Sequence, residues 1–135
     1  MIIETAEALR QTTQALDFTI YYEQAPQGIE EDYGTFFILG GSQNEFMGGR
    51  DDNIKMLELQ TNLFSKADDG GYRIAEMKQA LSDLLDWTDS LPVDNYRVIS
   101  VEPKSFFQVP IQDFYRQFTI LHEIKLVRNT SKSET

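Results

Sequence analysis

The stretch that decides the fold is residues 116–127, which read R-Q-F-T-I-L-H-E-I-K-L-V. Apolar side chains recur there at a spacing of two, at Phe118, Ile120, Ile124 and Leu126, with polar side chains between most of them. This alternation is typical of a β-strand that buries one of its faces. The chain therefore contains a long, half-buried strand.

Composition favours one folded domain. The 135 residues are 41% hydrophobic and 12% aromatic, enough for one core that buries about two thirds of the unfolded surface. Twelve basic and 22 acidic residues give a formal net charge of −10, which disfavours broad binding to phosphate backbones or anionic lipids. The lack of cysteine excludes disulfides, thiolate catalysis and the usual structural zinc sites.

The sequence carries no secretion or membrane signal that we recognise. Met1, Ile2 and Ile3 are followed at once by Glu4, which does not match the apolar region of a signal peptide. No apolar run approaches the ~20 residues that span a bilayer. We therefore expect a soluble protein that is cytosolic when it is made.

Two segments have helical periodicity. Apolar side chains recur three or four positions apart in residues 3–16 and in residues 72–88, and Pro92 lies just beyond the second segment. The predicted buried stripe of the first helix is Ile3, Ala6, Leu9, Thr13 and Leu16. The predicted stripe of the second is Ile74, Met77, Leu81, Leu84, Leu85 and Thr88.

The other ordered segments are predicted to be strands. Besides residues 116–127, they are residues 18–22, 35–39, 54–65, 96–101 and 106–111. Pro103 marks a predicted turn over residues 102–105. Pro110 falls inside the following strand, which predicts a place at a sheet edge or a bend.

This order of elements predicts an α+β fold. We expect a single antiparallel or mixed β-sheet, with the N-terminal helix and the main helix packed on one face. A long Gly-rich loop is predicted over residues 40–53. The domain is predicted to span residues 1–128, with residues 129–135 as a polar, disordered tail. Since two helices can cover only one face, the other must carry polar side chains or meet another molecule.

His122 is the only histidine, and it falls on the apolar side of the last strand. A role as general base or metal ligand would need a partner carboxylate or further nitrogen ligands, and the chain has no second histidine. We therefore favour a partly buried, hydrogen-bonded side chain.

Two pairs of adjacent aspartates are candidate cation ligands. Neither Asp51–Asp52 nor Asp68–Asp69 has the alternating oxygen spacing of a calcium loop. The second pair is better explained as part of a turn, where its carboxylates favour the start of the helix that follows. The sequence therefore predicts no metal, no cofactor and no catalytic residue.

Several aromatic and methionine residues that are predicted to be exposed favour a role in binding another protein. Phe46 and Met47 lie at the centre of the predicted loop, and Phe106 and Phe107 are adjacent on a strand, so only one of the two can enter the same core. Aromatic side chains and methionine are enriched at the centres of protein interfaces. The predicted partner interface is Phe46, Met47, Arg50, Asp51, Asp52, Phe106, Phe107 and Val109.

The layout resembles the tail terminator, or tail completion, proteins of long-tailed bacteriophages, together with the related family of phage minor capsid proteins. The resemblance spans residues 3–127. It rests on Y-Y-E-Q-A-P (21–26), L-E-L-Q-T-N-L-F (57–64), D-D-G-G (68–71) ahead of the main helix, and D-F-Y-R-Q-F (113–118).

The resemblance implies a non-enzymatic structural protein of the virion. It implies a homohexameric ring that caps the finished tail tube and joins it to the head–neck connector. The expected partners are copies of the chain, the tail tube protein and a neck protein, with DNA only as passing cargo in the lumen and no membrane. The expected location is the virion tail and neck, with host cytoplasm during assembly.

Three alternatives stay open at this point. One is a head-closure or minor capsid component of similar architecture. Another is a small enzyme that uses His122 with a carboxylate. The third is a monomeric adaptor domain.

Overall fold

A computed structural model describes residues 1–29, 31–44, 54–112 and 115–129. In chain order the elements are α1 (Ile2–Thr13), β1 (Thr19–Tyr22), β2 (Tyr33–Asn44), β3 (Ile54–Ser65), α2 (Tyr72–Leu85), β4 (Tyr96–Gln112) and β5 (Tyr115–Arg128). Two helices and one sheet confirm the predicted α+β class. Within the described ranges, neither helix has the length and hydropathy that crossing a bilayer requires.

The five strands form one mixed sheet in the order β1-β2-β3-β5-β4. β1 runs parallel to β2, and the other neighbours are antiparallel. The strand predicted over residues 116–127 is therefore β5, paired on both sides. In that register, Ile124 lies opposite Leu57 of β3 and Val101 of β4.

The core lies against one face of the sheet, which we call the inner face. Its side chains on β3 and β5 alternate as predicted, and Leu57, Leu59, Leu63 and Ile124 are almost fully buried. They form a single cluster with buried residues of both helices. α2 contributes Ile74, Met77, Leu81 and Leu85 to it.

The predicted stripe of α1 is partly wrong. Ile3 is 82% exposed, and the helix ends at Thr13. Thr5 and Ala8 take up core positions instead. Threonine is tolerated there because its hydroxyl bonds to the preceding turn: Thr5 Oγ1 donates to the carbonyl of Met1 at 2.7 Å.

The Gly-rich loop predicted over residues 40–53 is wrong for residues 40–44. Residues 40–44 continue strand β2 after a bulge between Ile38 and Gly40, and Gly41 still pairs with Leu57 of β3. Backbone pairing with a long neighbouring strand therefore overrides the low strand propensity of glycine. Residues 45–53 lie outside the described residues.

The turn predicted over residues 102–105 is also wrong, because β4 is one strand from Tyr96 to Gln112. Its register shifts between Val98 and Ser100, between Pro103 and Ser105, and again beyond Val109. β4 is an edge strand, which confirms the edge predicted from Pro110. Proline is tolerated on such a strand, where bulges and a free edge accommodate its missing N–H.

Candidate protein-interaction site

The predicted interface residues divide into two groups. Phe106, Phe107 and Val109 lie on edge strand β4. The other five lie outside the described residues: Phe46, Met47, Arg50, Asp51 and Asp52.

Phe106 and Phe107 face opposite sides of the sheet, and neither enters the core. Phe106 is 58% exposed and Phe107 is 52% exposed. Phe106 stacks on Phe118 with 5.7 Å between ring centroids, and the Lys78 ammonium lies 4.2 Å from its ring. Both phenylalanines are exposed because α2 packs over β3 and β5 and leaves the edge strand with little cover.

A groove of about 480 Å³ runs between α2 and β4, and we call it the α2–β4 groove. Lys78 and Ser82, four residues apart on one face of α2, line its helix side together with Asp86, which directly follows the helix. Pro103 and Phe106 are among the residues on its strand side. The groove combines an aromatic wall with charged groups, which suits a protein side chain.

His122 is buried, with 1% of its surface exposed, and its Nε2 lies 2.7 Å from Oδ1 of Asp86. The predicted hydrogen bond is confirmed, although the side chain is more deeply buried than expected. Nε2 therefore carries the proton, and among the described residues Nδ1 has no hydrogen-bond partner. Because Asp86 directly follows α2, the contact fixes the end of that helix to the centre of the sheet.

The Asp68–Asp69 turn behaves as predicted for a helix start. The Asp69 carboxylate accepts hydrogen bonds from the backbone N–H groups of Gly71, Tyr72 and Arg73 at 3.2, 3.1 and 2.9 Å. These are donors that the first turn of α2 leaves unpaired. Across the ranges that the structure describes, no group of three or more acidic or histidine side chains could hold a metal ion.

Arg73 forms an ion-pair network that the sequence pattern did not predict. Its Nε bonds Asp32 at 2.7 Å and its Nη2 bonds Asp17 at 3.1 Å, while Ser65 donates to Asp32 at 2.7 Å. The hydrogen bond to Asp32, helped by Asp17, raises the pKa of Arg73. The network ties two loops and the end of β3 to the start of α2, which is a structural role.

The sheet face opposite the core, which we call the outer face, carries an aromatic cluster at one end. Tyr33 stacks on Phe64 at 4.8 Å, and Tyr115 meets both rings edge-on at 6.0 and 6.1 Å. The Tyr115 hydroxyl donates to the carbonyl of Ile29 at 2.8 Å. All three rings are half-buried, so this end of the outer face offers an ordered, partly apolar surface.

The middle and far end of the outer face are polar. Thr119 donates to the Asn62 side chain at 2.9 Å. Lys125 pairs with Glu102 at 3.0 Å, and that hydrogen bond lowers the pKa of Glu102. The outer face therefore satisfies many of its own polar groups.

Trp87 is an exposed feature that the sequence reasoning missed. Its side chain is 66% exposed, and its backbone has φ 63°. Its N–H donates to the carbonyl of Val101 at 2.6 Å, and the N–H of Val101 donates back to Thr88 at 3.1 Å. These bonds cover the free edge of β4 at Val101 and place the indole outside the sheet. They also end α2 at Leu85 rather than at residue 88.

A second groove lies at the other edge of the sheet, between the end of α1 and strand β1, and we call it the α1–β1 groove. Its volume is about 620 Å³. Leu16, Phe18, Ile20 and Tyr22 supply apolar walls, and Arg10 lies on its rim. Tyr22 is 43% exposed, so an apolar wall of this groove is open to solvent.

Comparisons with known proteins show the fold. No protein-family model matches the chain, and no curated protein matches it. Among solved structures, 26 chains match. One belongs to the virion of a native gene transfer agent (GTA) particle; it is 12% identical, with a TM-score of 0.63 over 91% of each chain. Another, whose name states no function, is also 12% identical with a TM-score of 0.63, over 95% of this chain and 94% of its own. This chain therefore shares its fold with a chain of a gene transfer agent virion.

Proposed function

We propose that this chain is a structural, non-enzymatic virion protein, and more narrowly a tail terminator of a phage-like particle. In this role its copies form a closed homohexameric ring that caps the tail tube and joins it to the head–neck connector. Two exposed phenylalanines on an edge strand, Phe106 and Phe107, carry the proposal, because large apolar side chains in adjacent positions favour contact with another protein. The shared fold with a GTA virion chain supports it.

A closed ring explains how such a protein would stop a growing tube. Each subunit uses two different surfaces on its two neighbours, so no side surface is left over once the ring closes. The helices cover the inner face of the sheet, and the outer face is available to tube or neck protein. DNA passes through the lumen as cargo, and the protein reaches the virion from the host cytoplasm.

The interface of the ring includes Phe106, Phe107 and Val109 on β4. The loop residues Phe46, Met47, Arg50, Asp51 and Asp52 belong to the same proposed interface. A head-closure or minor capsid role is the nearest alternative, since it would use the same fold and the same edge strand.

An enzyme built on His122 and Asp86 is the alternative from a different class. The 2.7 Å contact between them is the arrangement that orients a general base. However, His122 is 1% exposed and lines none of the grooves described above. His122→Gln keeps a donor for Asp86, so we expect this variant to fold and assemble normally. If the wild-type protein instead shows an enzymatic activity that His122→Gln loses, this result would favour the enzyme.

The proposed function can be tested by deleting the gene for this chain from the genome that encodes the particle. We expect tail tubes of irregular length that are not joined to heads, visible by electron microscopy, and rescue by the chain supplied in trans. Head-joined tails of normal length in the deletion strain would contradict the tail-terminator role.

A further inference from the structure

The free edge of β4 contains a short, regular segment between two irregularities. The register of β4 with β5 shifts between Pro103 and Ser105 and again beyond Val109. Between these shifts lie residues 105–109, which we call the β4 edge segment. They read S-F-F-Q-V and pair one-to-one with residues 117–121 of β5. Since bulges interrupt and twist a strand, regular pairing on the free side of β4 can extend over only these five residues.

The backbone of the β4 edge segment is open on its free side. Val101, an inner-face residue of the same strand, directs its N–H to Thr88 and its C=O to Trp87, away from β5. Backbone groups alternate in direction along a strand in step with the side chains. The inner-face residues Phe106 and Gln108 therefore also direct their N–H and C=O groups to the free side. Among the described residues, no backbone group bonds them there.

Strand β1, at the opposite edge of the sheet, is open in the same way. It pairs only with β2, and all its residues line the α1–β1 groove, so the space beside the strand is not filled by the helix. The N–H of Glu23 donates to Phe36 of β2 at 2.8 Å, and by alternation Ile20 and Tyr22 direct their backbone groups into the groove. The Tyr22 carbonyl accepts from Gln24 at 2.7 Å and has a second lone pair for another donor.

The strand directions allow the two edges to meet in register between copies. β1 is parallel to β2, and three antiparallel steps then lead to β4, so β1 and β4 run in opposite directions. In a head-to-tail contact neighbouring copies have the same orientation. β4 of one copy therefore meets β1 of the next copy antiparallel, with both inner faces on the same side.

Neither edge carries a charged side chain, which favours a second copy as the partner. A quarter of the chain is charged and its net charge is −10, yet the β4 edge segment and β1, which reads T-I-Y-Y, contain no charged residue. Two copies can therefore bring these edges together without placing like charges opposite each other. The lengths also agree, since the segment has five residues and β1 has four.

We propose that the β4 edge segment of one copy pairs antiparallel with β1 of the next copy, so that the sheet continues across the contact. This inference deepens the proposed ring and rests on it. In the register that keeps the inner faces together and pairs every residue of β1, Phe106 lies opposite Tyr22. Gln108 then lies opposite Ile20, and each of these two pairs exchanges backbone hydrogen bonds.

Aromatic side chains of the two copies then meet on both faces of the joined sheet. Phe106 packs beside Tyr22 on the inner face, and Phe107 beside Tyr21 on the outer face, where such cross-strand pairs are stabilising. This contact covers apolar surface that Phe106, Phe107 and Tyr22 expose in a single copy. A stable interface needs about 800 Å² from each partner, so the strand pair is the centre of a wider contact.

A proline at position 108 tests the backbone pairing. The N–H of Gln108 faces the free side and its side chain is exposed, so Gln108→Pro removes no bond to β5 and should fold. It removes a donor from the proposed contact and places a ring there. We expect the concentration for half-assembly, measured by sedimentation velocity, to rise about tenfold or more. Gln108→Ala keeps the N–H and should assemble like wild type.

Engineered cysteines test the register, since the chain has no cysteine of its own. Thr19 and Val109 would lie opposite each other in a pair without mutual hydrogen bonds, with Cα atoms about 4.5 Å apart, which permits a disulfide. Within one molecule they lie on opposite edges, about 19 Å or more apart. Oxidised Thr19→Cys/Val109→Cys should therefore give a ladder of covalent multimers on a non-reducing gel. Thr19→Cys/Gln108→Cys is the matched control, because its cysteines would face opposite sides of the joined sheet.

The outcomes separate the inference from the proposed function. If wild type assembles and Gln108→Pro assembles equally well, or if Thr19→Cys/Val109→Cys cross-links no better than its control, the strand pairing is refuted and the ring stands. Efficient cross-linking of Val109→Cys alone would show that β4 pairs with β4 of a second copy, which also refutes the inference. If wild type stays monomeric at all concentrations, the ring and the strand pairing are refuted together.

Discussion

At the scale of single residues, long-range polar contacts hold the loops in place. Arg73 and Asp32 are 41 positions apart in the chain, yet their side chains meet at 2.7 Å. His122 and Asp86 are 36 positions apart and also meet at 2.7 Å. Nothing in local periodicity points to such pairs, because they form only when the topology brings distant segments together.

The Arg73 network makes a prediction about stability. Arg73→Ala should lower the free energy of unfolding by about 2 kcal/mol, since it leaves Asp32 without its charged donor. Arg73→Lys should recover only part of the loss, because one ammonium cannot bridge Asp32 and Asp17 with the geometry of a guanidinium. Urea denaturation of the three proteins measures the difference.

The matched control for Arg73 is the exposed pair of Arg10 with Glu7. Arg10→Ala should leave the free energy of unfolding almost unchanged, as is usual for surface ion pairs. Equal losses for Arg73→Ala and Arg10→Ala would show that the network around Arg73 adds no stability.

The lowered pKa of Glu102 predicts that the free energy of unfolding depends on pH. The hydrogen bond from Lys125 holds the pKa of Glu102 below its ordinary value, and Ser100 adds to the effect. The stabilisation is therefore complete above the ordinary glutamate range and is lost as the pH falls through the lowered pKa. The difference in unfolding free energy between wild type and Glu102→Gln, under about 1 kcal/mol, should shrink on acidification. A difference that stays constant with pH would contradict this.

At the scale of elements, the start of α2 shows how one side chain can define a helix end. Asp69→Ala removes the acceptor for three N–H groups and should cost about 1 kcal/mol. Asp68→Ala is the control, with an expected cost of a few tenths of a kcal/mol from lost charge at the helix start. Thermal unfolding measures the stability of both variants. A larger loss of stability for Asp68→Ala than for Asp69→Ala would contradict the role of Asp69 at the start of α2.

The elements that the sequence predicts best are those whose own side chains carry the signal. Residues 54–65 alternate clearly, and β3 has those bounds; α2 begins at Tyr72 as predicted. The two segments wrongly predicted as a loop and a turn contain glycine and proline. Gly40 and Pro103 are local turn signals, but pairing with β3 and β5 keeps both segments extended.

The candidate site was harder to predict than the fold. Exposure of Phe106 and Phe107 depends on where α2 lies over the sheet, which no local pattern contains. Trp87 lies inside the segment predicted as a helix, and hydrogen bonds to Val101, 14 positions later on β4, hold its backbone in the left-handed region instead. Such features become visible only when the tertiary arrangement is known.

At the scale of the whole molecule, the sheet leaves two edges with different chemistry. The β4 edge carries the exposed side chains of Phe106 and Phe107, and the β1 edge carries the partly apolar α1–β1 groove. Unlike edges are what the proposed ring requires, since each copy in it meets its two neighbours through different surfaces. A net charge of −10 opposes non-specific aggregation of the copies, so the proposed association should depend on specific surfaces.

The mass of the assembled species by light scattering and native mass spectrometry tests the central claim most directly. We expect one closed species near six subunits of 15.6 kDa that stops growing as concentration rises. A monomer at every concentration, or filaments that lengthen without limit, would contradict a closed ring built on unlike edges.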